Sequence, residues 1–223
     1  METPFVFGKI ATKHDFTNRE IETARLVSNF ISGINSILIS PRRWGKSSLV
    51  ARASEVALKK DRRNKFCFVD LNNIRSEEQF YQNLATEVLR ASSTKIQVIA
   101  ENARKFMGRF IPNLTFSPGP GTEIKLGLDW KEVKKEPGDI IDLPEKLASD
   151  RGIKLIICID EFQNISEFTD PVAFQKQMRA HWQHHHNVSY CLYGSKRHMM
   201  MDVFESPSMP FYKFGDIIFL EKI

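Results

Sequence analysis

Ser36-Ile37-Leu38-Ile39-Ser40-Pro41-Arg42-Arg43-Trp44-Gly45-Lys46-Ser47-Ser48-Leu49-Val50 is the stretch that decides the fold. Ser36 to Ile39 is short, apolar and rich in β-branched side chains, as expected of a buried parallel strand. From Ser47 to about Lys60 the sequence has helical character. A loop that grips phosphate needs inward-turned backbone N–H groups, a helix N-terminus aimed at the anion, a lysine for the outer phosphates and a hydroxyl for magnesium. This stretch offers all four. Gly45 allows close backbone approach, Lys46 reaches the β and γ phosphates, and Ser47 is the magnesium ligand.

One position departs from the G-x-x-x-x-G-K-[ST] pattern, because Ser40 stands where the first glycine is expected. Pro41 pushes Ser40 toward an extended conformation, so this site continues the strand and needs no positive φ. Arg42 and Arg43 either neutralise phosphate, a task that suits guanidinium geometry, or point into solvent. Trp44 is expected to pack beneath the loop rather than stack on a base.

Outward from the loop, a helix is predicted from about Arg19 through Ile31, capped by Thr17 or Asn18, with residues 1–19 loop-like. Lys65 to Asp70 reads as a second buried strand. Residues 76–110 look helical over most of their length, with Phe80, Leu84, Val88 and Leu89 at helical spacing. Pro112, Pro118, Gly119, Pro120 and Gly121 then break the pattern, and the period-two flanks Leu114-Thr115-Phe116 and Glu123 to Leu128 predict a β-hairpin. A helix from about Ile140 to Asp150, a strand from Lys154 to Glu161, a helix over 171–185, a strand from Val188 to Ser195 and a possible strand over Ile217 to Leu220 complete the pass. Alternating strands and helices give a three-layer α/β fold, with a central, mostly parallel sheet covered on both faces.

Asp160 and Glu161 close an apolar strand, where open α/β sheets place their ligand sites. As a Walker B pair, Asp160 holds magnesium, usually through a water, and Glu161 polarises the attacking water. The bland alternative is a solvated strand-end loop. Ser195, just beyond the next strand, either senses the γ-phosphate or serves a plain strand-to-helix turn. His181, His184, His185 and His186 invite a metal reading, since His181 and His185 are four apart on a predicted helix. No Glu stands between them in the H-E-x-x-H sense, so a solvated helix end is preferred. The run Met199-Met200-Met201 is read as packing rather than as a cofactor box.

With 223 residues the chain is long enough for a sizeable core, and one domain spanning 1–223 is expected, with the hairpin at about 112–130 as an insertion. No apolar run approaches the ~20 residues of a membrane span, and no signal-peptide layout opens the chain. A cytoplasmic location is expected. Cys67, Cys158 and Cys191 lie in apolar stretches without metal spacing and are read as small core residues. The net charge of +5 favours phosphate-bearing partners without establishing DNA binding.

These motifs resemble the archaeal-type ATPase family of STAND and AAA+-related P-loop NTPases over nearly all of the chain. Phe16-Thr17-Asn18-Arg19-Glu20-Ile21-Glu22 is similar to the family's F-x-x-R-E-x-E box bordering the adenine pocket, which implies nucleotide-binding roles for Arg19 and Glu20. Ser40 to Leu49, Ser48 included, looks like its proline- and arginine-containing Walker A; Ile159-Asp160-Glu161-Phe162-Gln163 looks like the D-E-F-Q form of Walker B; Tyr193-Gly194-Ser195 looks like its sensor strand. The resemblance implies a magnesium-dependent ATPase that binds ATP and ADP and works as a conformational switch, with self-association or a protein effector as possible partnerships. The alternatives are a nucleotide-binding switch with little hydrolysis and a DNA-associated ATPase related to replication initiators. A small-molecule kinase fits the Asp-Glu pair less well. Relatives carry a P-L-Y-G-R-like segment where Pro210-Phe211-Tyr212-Lys213-Phe214 lacks the arginine, which leaves Lys213 or Arg197 to compensate. Relatives also continue into a helical lid; the end at Ile223 is read as a truncated chain or gene fragment without one.

Overall fold

The computed structural model describes residues 19–111, 113–117 and 123–221, and over 113–117 and 123–126 the backbone alone. The elements run α1 (Glu20–Ser32), β1 (Ser36–Ile39), α2 (Lys46–Lys60), β2 (Asn64–Asp70), α3 (Glu77–Ser92), α4 (Ile96–Met107), β3 (Asn113–Ser117), β4 (Glu123–Gly127), α5 (Trp130–Lys135), α6 (Gly138–Ile141), α7 (Leu143–Arg151), β5 (Lys154–Asp160), a 3-10 helix η1 (Phe162–Glu167), α8 (Pro171–Trp182), β6 (Val188–Gly194), α9 (Arg197–Glu205) and β7 (Asp216–Phe219).

Five strands form one sheet in the order β2-β5-β6-β1-β7, with every neighbouring pair parallel. The expectation of a mostly parallel sheet is thus sharpened to an all-parallel one. Successive residues of a strand point to opposite faces, and the core divides accordingly. Ile37, Ile39, Val69, Ile157, Ile159 and Leu192 pack with α3, α7 and α8 on one side. Leu38, Ile156, Cys158, Cys191, Tyr193 and Ile218 pack with α1 and α2 on the other. The strands are apolar without alternation because both faces are covered. All three cysteines are buried and unpaired, as the composition implied.

Where the predicted boundaries fail, a local cause is visible. The single helix expected over 76–110 splits at Ser93, which is extended, with Ser93 Oγ accepting from the Lys95 N–H at 3.1 Å. Short hydroxyl side chains compete in this way with helical backbone bonds. The helix expected from Ile140 splits at Asp142, because Pro144 has no N–H to continue the ladder and lies at the start of α7. The cap of α1 is at Arg19, with no side-chain cap bond, rather than at Thr17 or Asn18. Those two residues, Phe16 and the breakers Pro112 and Pro118 to Gly121 lie outside the described residues. The hairpin is present, with β3 and β4 antiparallel and Phe116 opposite Ile124 in register.

The solvated helix end expected for the histidines holds only for His184 and His186, which are exposed. The Asp142 Oδ1 oxygen accepts from His181 Nδ1 at 2.9 Å and from His185 Nε2 at 3.1 Å, and the Tyr190 hydroxyl donates to His185 Nδ1 at 2.7 Å. The neutral imidazole of His185 satisfies both partners as one donor and one acceptor. No group of three potential metal ligands occurs among the described residues. Burial holds the His185 pKa below its ordinary value, outweighing the opposing bond to Asp142. A folded-state pKa below the unfolded one of about 6.5 means that the unfolded chain takes up the proton first as pH falls. His185 therefore makes no pH-dependent contribution well above that value and destabilises the fold as pH drops through it. The expected result is that the melting temperature of the wild type falls more steeply between pH 7.5 and 5.5 than that of His185→Gln; equal slopes would contradict it.

Candidate functional site

Parallel strands end together, so the chain after β1, β5 and β6 emerges at one edge of the sheet. Consecutive strands β1 and β2 are separated by β6 and β5, and this reversal of strand order leaves a crevice at that edge. Ser40 prolongs β1: its N–H donates to the Gly194 carbonyl at 3.2 Å, it is fully buried, and it is not among the described residues with positive φ. This is the extended role read from Pro41, and it explains why no glycine is needed there. The loop then turns through Arg43 (φ 67°) and Gly45 (φ 81°) into α2. Gly45 supplies the left-handed turn without a Cβ penalty, and the space where a Cβ would stand is open.

α2 begins at Lys46, one residue earlier than expected, so its N-terminus directly follows the left-handed turn at Gly45. Lys46 is 9% exposed and Ser48 is buried behind the loop, whereas Pro41, Arg42 and Arg43 are exposed and Trp44 is half-buried.

Lys46 Nζ lies 2.7 Å from Glu161 Oε1 and 3.6 Å from Asp160 Oδ1. Ser47 Oγ donates to Asp160 Oδ2 at 2.8 Å. The loop and the two carboxylates, far apart in sequence, thus form one cluster. Glu161 does not continue β5 as expected; it turns left-handed (φ 51°) into η1. That turn points its carboxylate across to β6, where Oε2 accepts from Ser195 Oγ at 2.8 Å, from the Ser195 N–H at 3.3 Å and from Gln163 Nε2 at 2.6 Å.

The two acids titrate in opposite directions. Burial pushes the Asp160 carboxyl above the ordinary range, against the charge of Lys46 and the bond from Ser47. For Glu161 burial also acts upward, but the bonds from Lys46, Gln163 and Ser195 outweigh it and hold the carboxyl at about 2. Oxygen donors from a hydroxyl and a carboxylate beside a phosphate loop suit magnesium. The observation that tests the fit is the nearly buried Lys46 ammonium, held in the loop by two carboxylates.

Gln163 was not singled out from the sequence, although it stands in the quoted Asp160-Glu161-Phe162-Gln163 run. It is 1% exposed. A Cβ on Gly194 would fall 2.0 Å from Gln163 Oε1 and 2.8 Å from Met200 Sδ. Gly194 is therefore the residue that makes room for Gln163, and Met200 is packing, as read. Gly194→Ala forces Gln163 or β6 to shift, an overpacking cost of about 2 kcal/mol. The expected result is a melting temperature lower by roughly 6 °C, measurable by calorimetry; an unchanged midpoint would contradict the contact.

The remaining sequence-predicted residues are engaged differently. Arg19 is buried, donating to the Glu221 carbonyl at 2.6 Å and to Glu22 Oε1 at 2.8 Å, while Glu20 is exposed. Leu220 donates to the Ile39 carbonyl, so Arg19 reaches the same sheet edge as the loop. The Arg197 guanidinium lies over the Phe219 ring at 5.0 Å, and exposed Lys213 over Tyr212 at 5.2 Å.

Fold and site together define a P-loop NTPase α/β architecture. No protein-family model and no curated sequence matches the chain. Among solved structures it is similar to a Walker-type ATPase of Pyrococcus abyssi (18% identity, TM-score 0.58, covering 97% of this chain and 57% of that one). It is also similar to the ORC2 protein of Aeropyrum pernix in ADPNP-ADP complexes (17%, 0.58, 97% and 50%) and to the ORC1 protein of the same organism in complex with DNA (14%, 0.56, 92% and 46%). At these identities the likeness is one of fold. The chain spans about half the length of the structures it matches.

Proposed function

We propose that this chain is the ATPase portion of an archaeal-type P-loop ATPase, binding ATP with magnesium and hydrolysing it to drive a conformational switch. The observation that carries the reading is the Lys46–Glu161–Ser195 cluster, in which a phosphate-binding lysine, a carboxylate and a sensor-type hydroxyl meet at the end of a parallel sheet. Lys46 leaves Glu161 for the β and γ phosphates, the first-turn N–H groups of α2 hold the phosphate oxygens, and Ser47 and Asp160 hold the metal. Bound magnesium supplies positive charge that offsets charge on the phosphate oxygens. Glu161 takes the proton of a water whose oxygen bonds to the γ phosphorus, while the bond to the bridging oxygen breaks and its electron pair stays on ADP. Ser195 orients Glu161, and Arg19 and Glu20 are assigned to the nucleoside side of the site.

A second reading, a switch with slow turnover, is favoured by one observation: Pro210-Phe211-Tyr212-Lys213-Phe214 holds no arginine, and Lys213 there lies over the Tyr212 ring. Duplex DNA is carried as a candidate partner on the ORC1–DNA complex alone. Phosphate release from magnesium-ATP by the wild type and by Glu161→Gln separates hydrolysis from a silent switch. Turnover in the wild type only supports the first reading, and equal rates would remove the assigned base. No described helix is long and apolar enough to cross a membrane.

A further inference from the structure

The two oxygens of Glu161 have unequal surroundings. Among the described residues Oε2 accepts three hydrogen bonds, from Gln163 Nε2, Ser195 Oγ and the Ser195 N–H, whereas Oε1 accepts one, from Lys46. From this asymmetry we infer that Gln163 is a positioning residue: with Ser195 it anchors Oε2, so that withdrawal of Lys46 frees Oε1 to face the substrate water. The inference rests on the assignment of Glu161 as the base.

Three features fix Gln163 in this role. It lies two residues after the left-handed turn at Glu161, inside η1, so its amide returns to the Glu161 carboxylate. Phe162 beside it is fully buried against Phe204 and Phe211, with ring centroids 5.6 Å away in each case, which ties η1 to the core. On its other side, Gln163 Oε1 occupies the room left by the missing side chain of Gly194. The Oε1 atom is buried without a hydrogen-bond partner among the described residues. An orphaned amide oxygen costs stability, so a residue chosen for packing alone would be apolar. The polar amide is retained for the bond that its nitrogen makes.

The anchor divides the carboxylate into a fixed and a released oxygen. Lys46 serves as the latch: it pairs with Oε1 and is drawn off by phosphate. Glu161 thus needs no rotation to become competent, because Gln163 and Ser195 hold its plane throughout.

The test replaces Gln163 with methionine, which has a similar length and no donor, and in parallel with asparagine, which keeps the amide but is too short. The expected result is a kcat lower by roughly tenfold, the effect of one charge-assisted hydrogen bond, with ATP affinity within about twofold of wild type. The combined Gln163→Met and Ser195→Ala variant is expected to lose less than the product of the single losses. A kcat unchanged in both variants, or kcat and affinity falling together with the melting temperature, would overturn the role. A crystal structure of nucleotide-free Gln163→Met needs no turnover: the Glu161 carboxylate is expected to leave Ser195, and an unmoved carboxylate counts against the anchor. If Glu161→Gln retains activity, the base assignment itself fails; if Glu161→Gln is inactive while Gln163→Met matches wild type, only this inference fails.

Discussion

Lys46→Ala is expected to weaken ATP binding by roughly 100-fold, the range of a lost charge-assisted contact to phosphate of about 2–3 kcal/mol. The structure makes the loss specific. Lys46 sits at the first position of α2, nearly buried, and its ammonium is the cation that pairs with Asp160 and Glu161 among the described residues. Alanine leaves the left-handed turn at Gly45 and the N-terminus of α2 in place, so part of the proposed phosphate site survives. It also removes the cation that pairs with the two carboxylates at the mouth of the loop, which adds repulsion toward an anionic ligand. Lys46→Arg keeps the charge and is expected to recover only part of the affinity, because a planar guanidinium does not fit a site built for a compact ammonium. Calorimetric titration checks both variants; wild-type affinity in Lys46→Ala would contradict the assignment.

Glu161→Gln is expected to do the opposite to binding while removing turnover. Loss of a general base lowers the rate by about 10²-fold or more. In the ligand-free protein Lys46 must leave Glu161 before it can reach a phosphate, at a cost of about 1 kcal/mol for such a pair. Removing the negative charge removes that cost, so ATP is expected to bind roughly fivefold tighter. A fall in both rate and affinity would point to a structural effect instead. The contrast between the two variants is diagnostic, since each removes one end of the same 2.7 Å contact.

Much of this was legible in the sequence because the decisive signals are local. The strand Ser36–Ile39, the Gly45-Lys46-Ser47 turn and the apolar run ending at Asp160 each carry a period or a motif that needs no knowledge of distant residues. That the loop and the Asp160–Glu161 pair lie at the same edge followed from the rule that open α/β sheets place their ligand sites beyond the carboxyl ends of the strands. The strand order and the Lys46–Glu161 contact came only with the structure. What escaped depends on tertiary contact. The left-handed Glu161 and the 3-10 turn after it look like a continuing strand in sequence, because Ile159-Asp160-Glu161-Phe162 has no glycine or proline to mark the bend. Gln163 gains its meaning only from Gly194, a residue on another strand. The histidines seemed solvated because Asp142 and Tyr190, which hold His185, lie on α7's leading edge and on β6.

The central claim is that the loop at 40–47 and the Asp160–Glu161 pair form one magnesium-ATP site. Isothermal titration of the wild-type chain with ATP, with and without magnesium, tests it most directly. The expected result is a saturable one-to-one isotherm that weakens when magnesium is withheld and nearly vanishes in Lys46→Ala. The absence of ATP binding in the presence of magnesium, or binding indifferent to both the metal and Lys46, would contradict it.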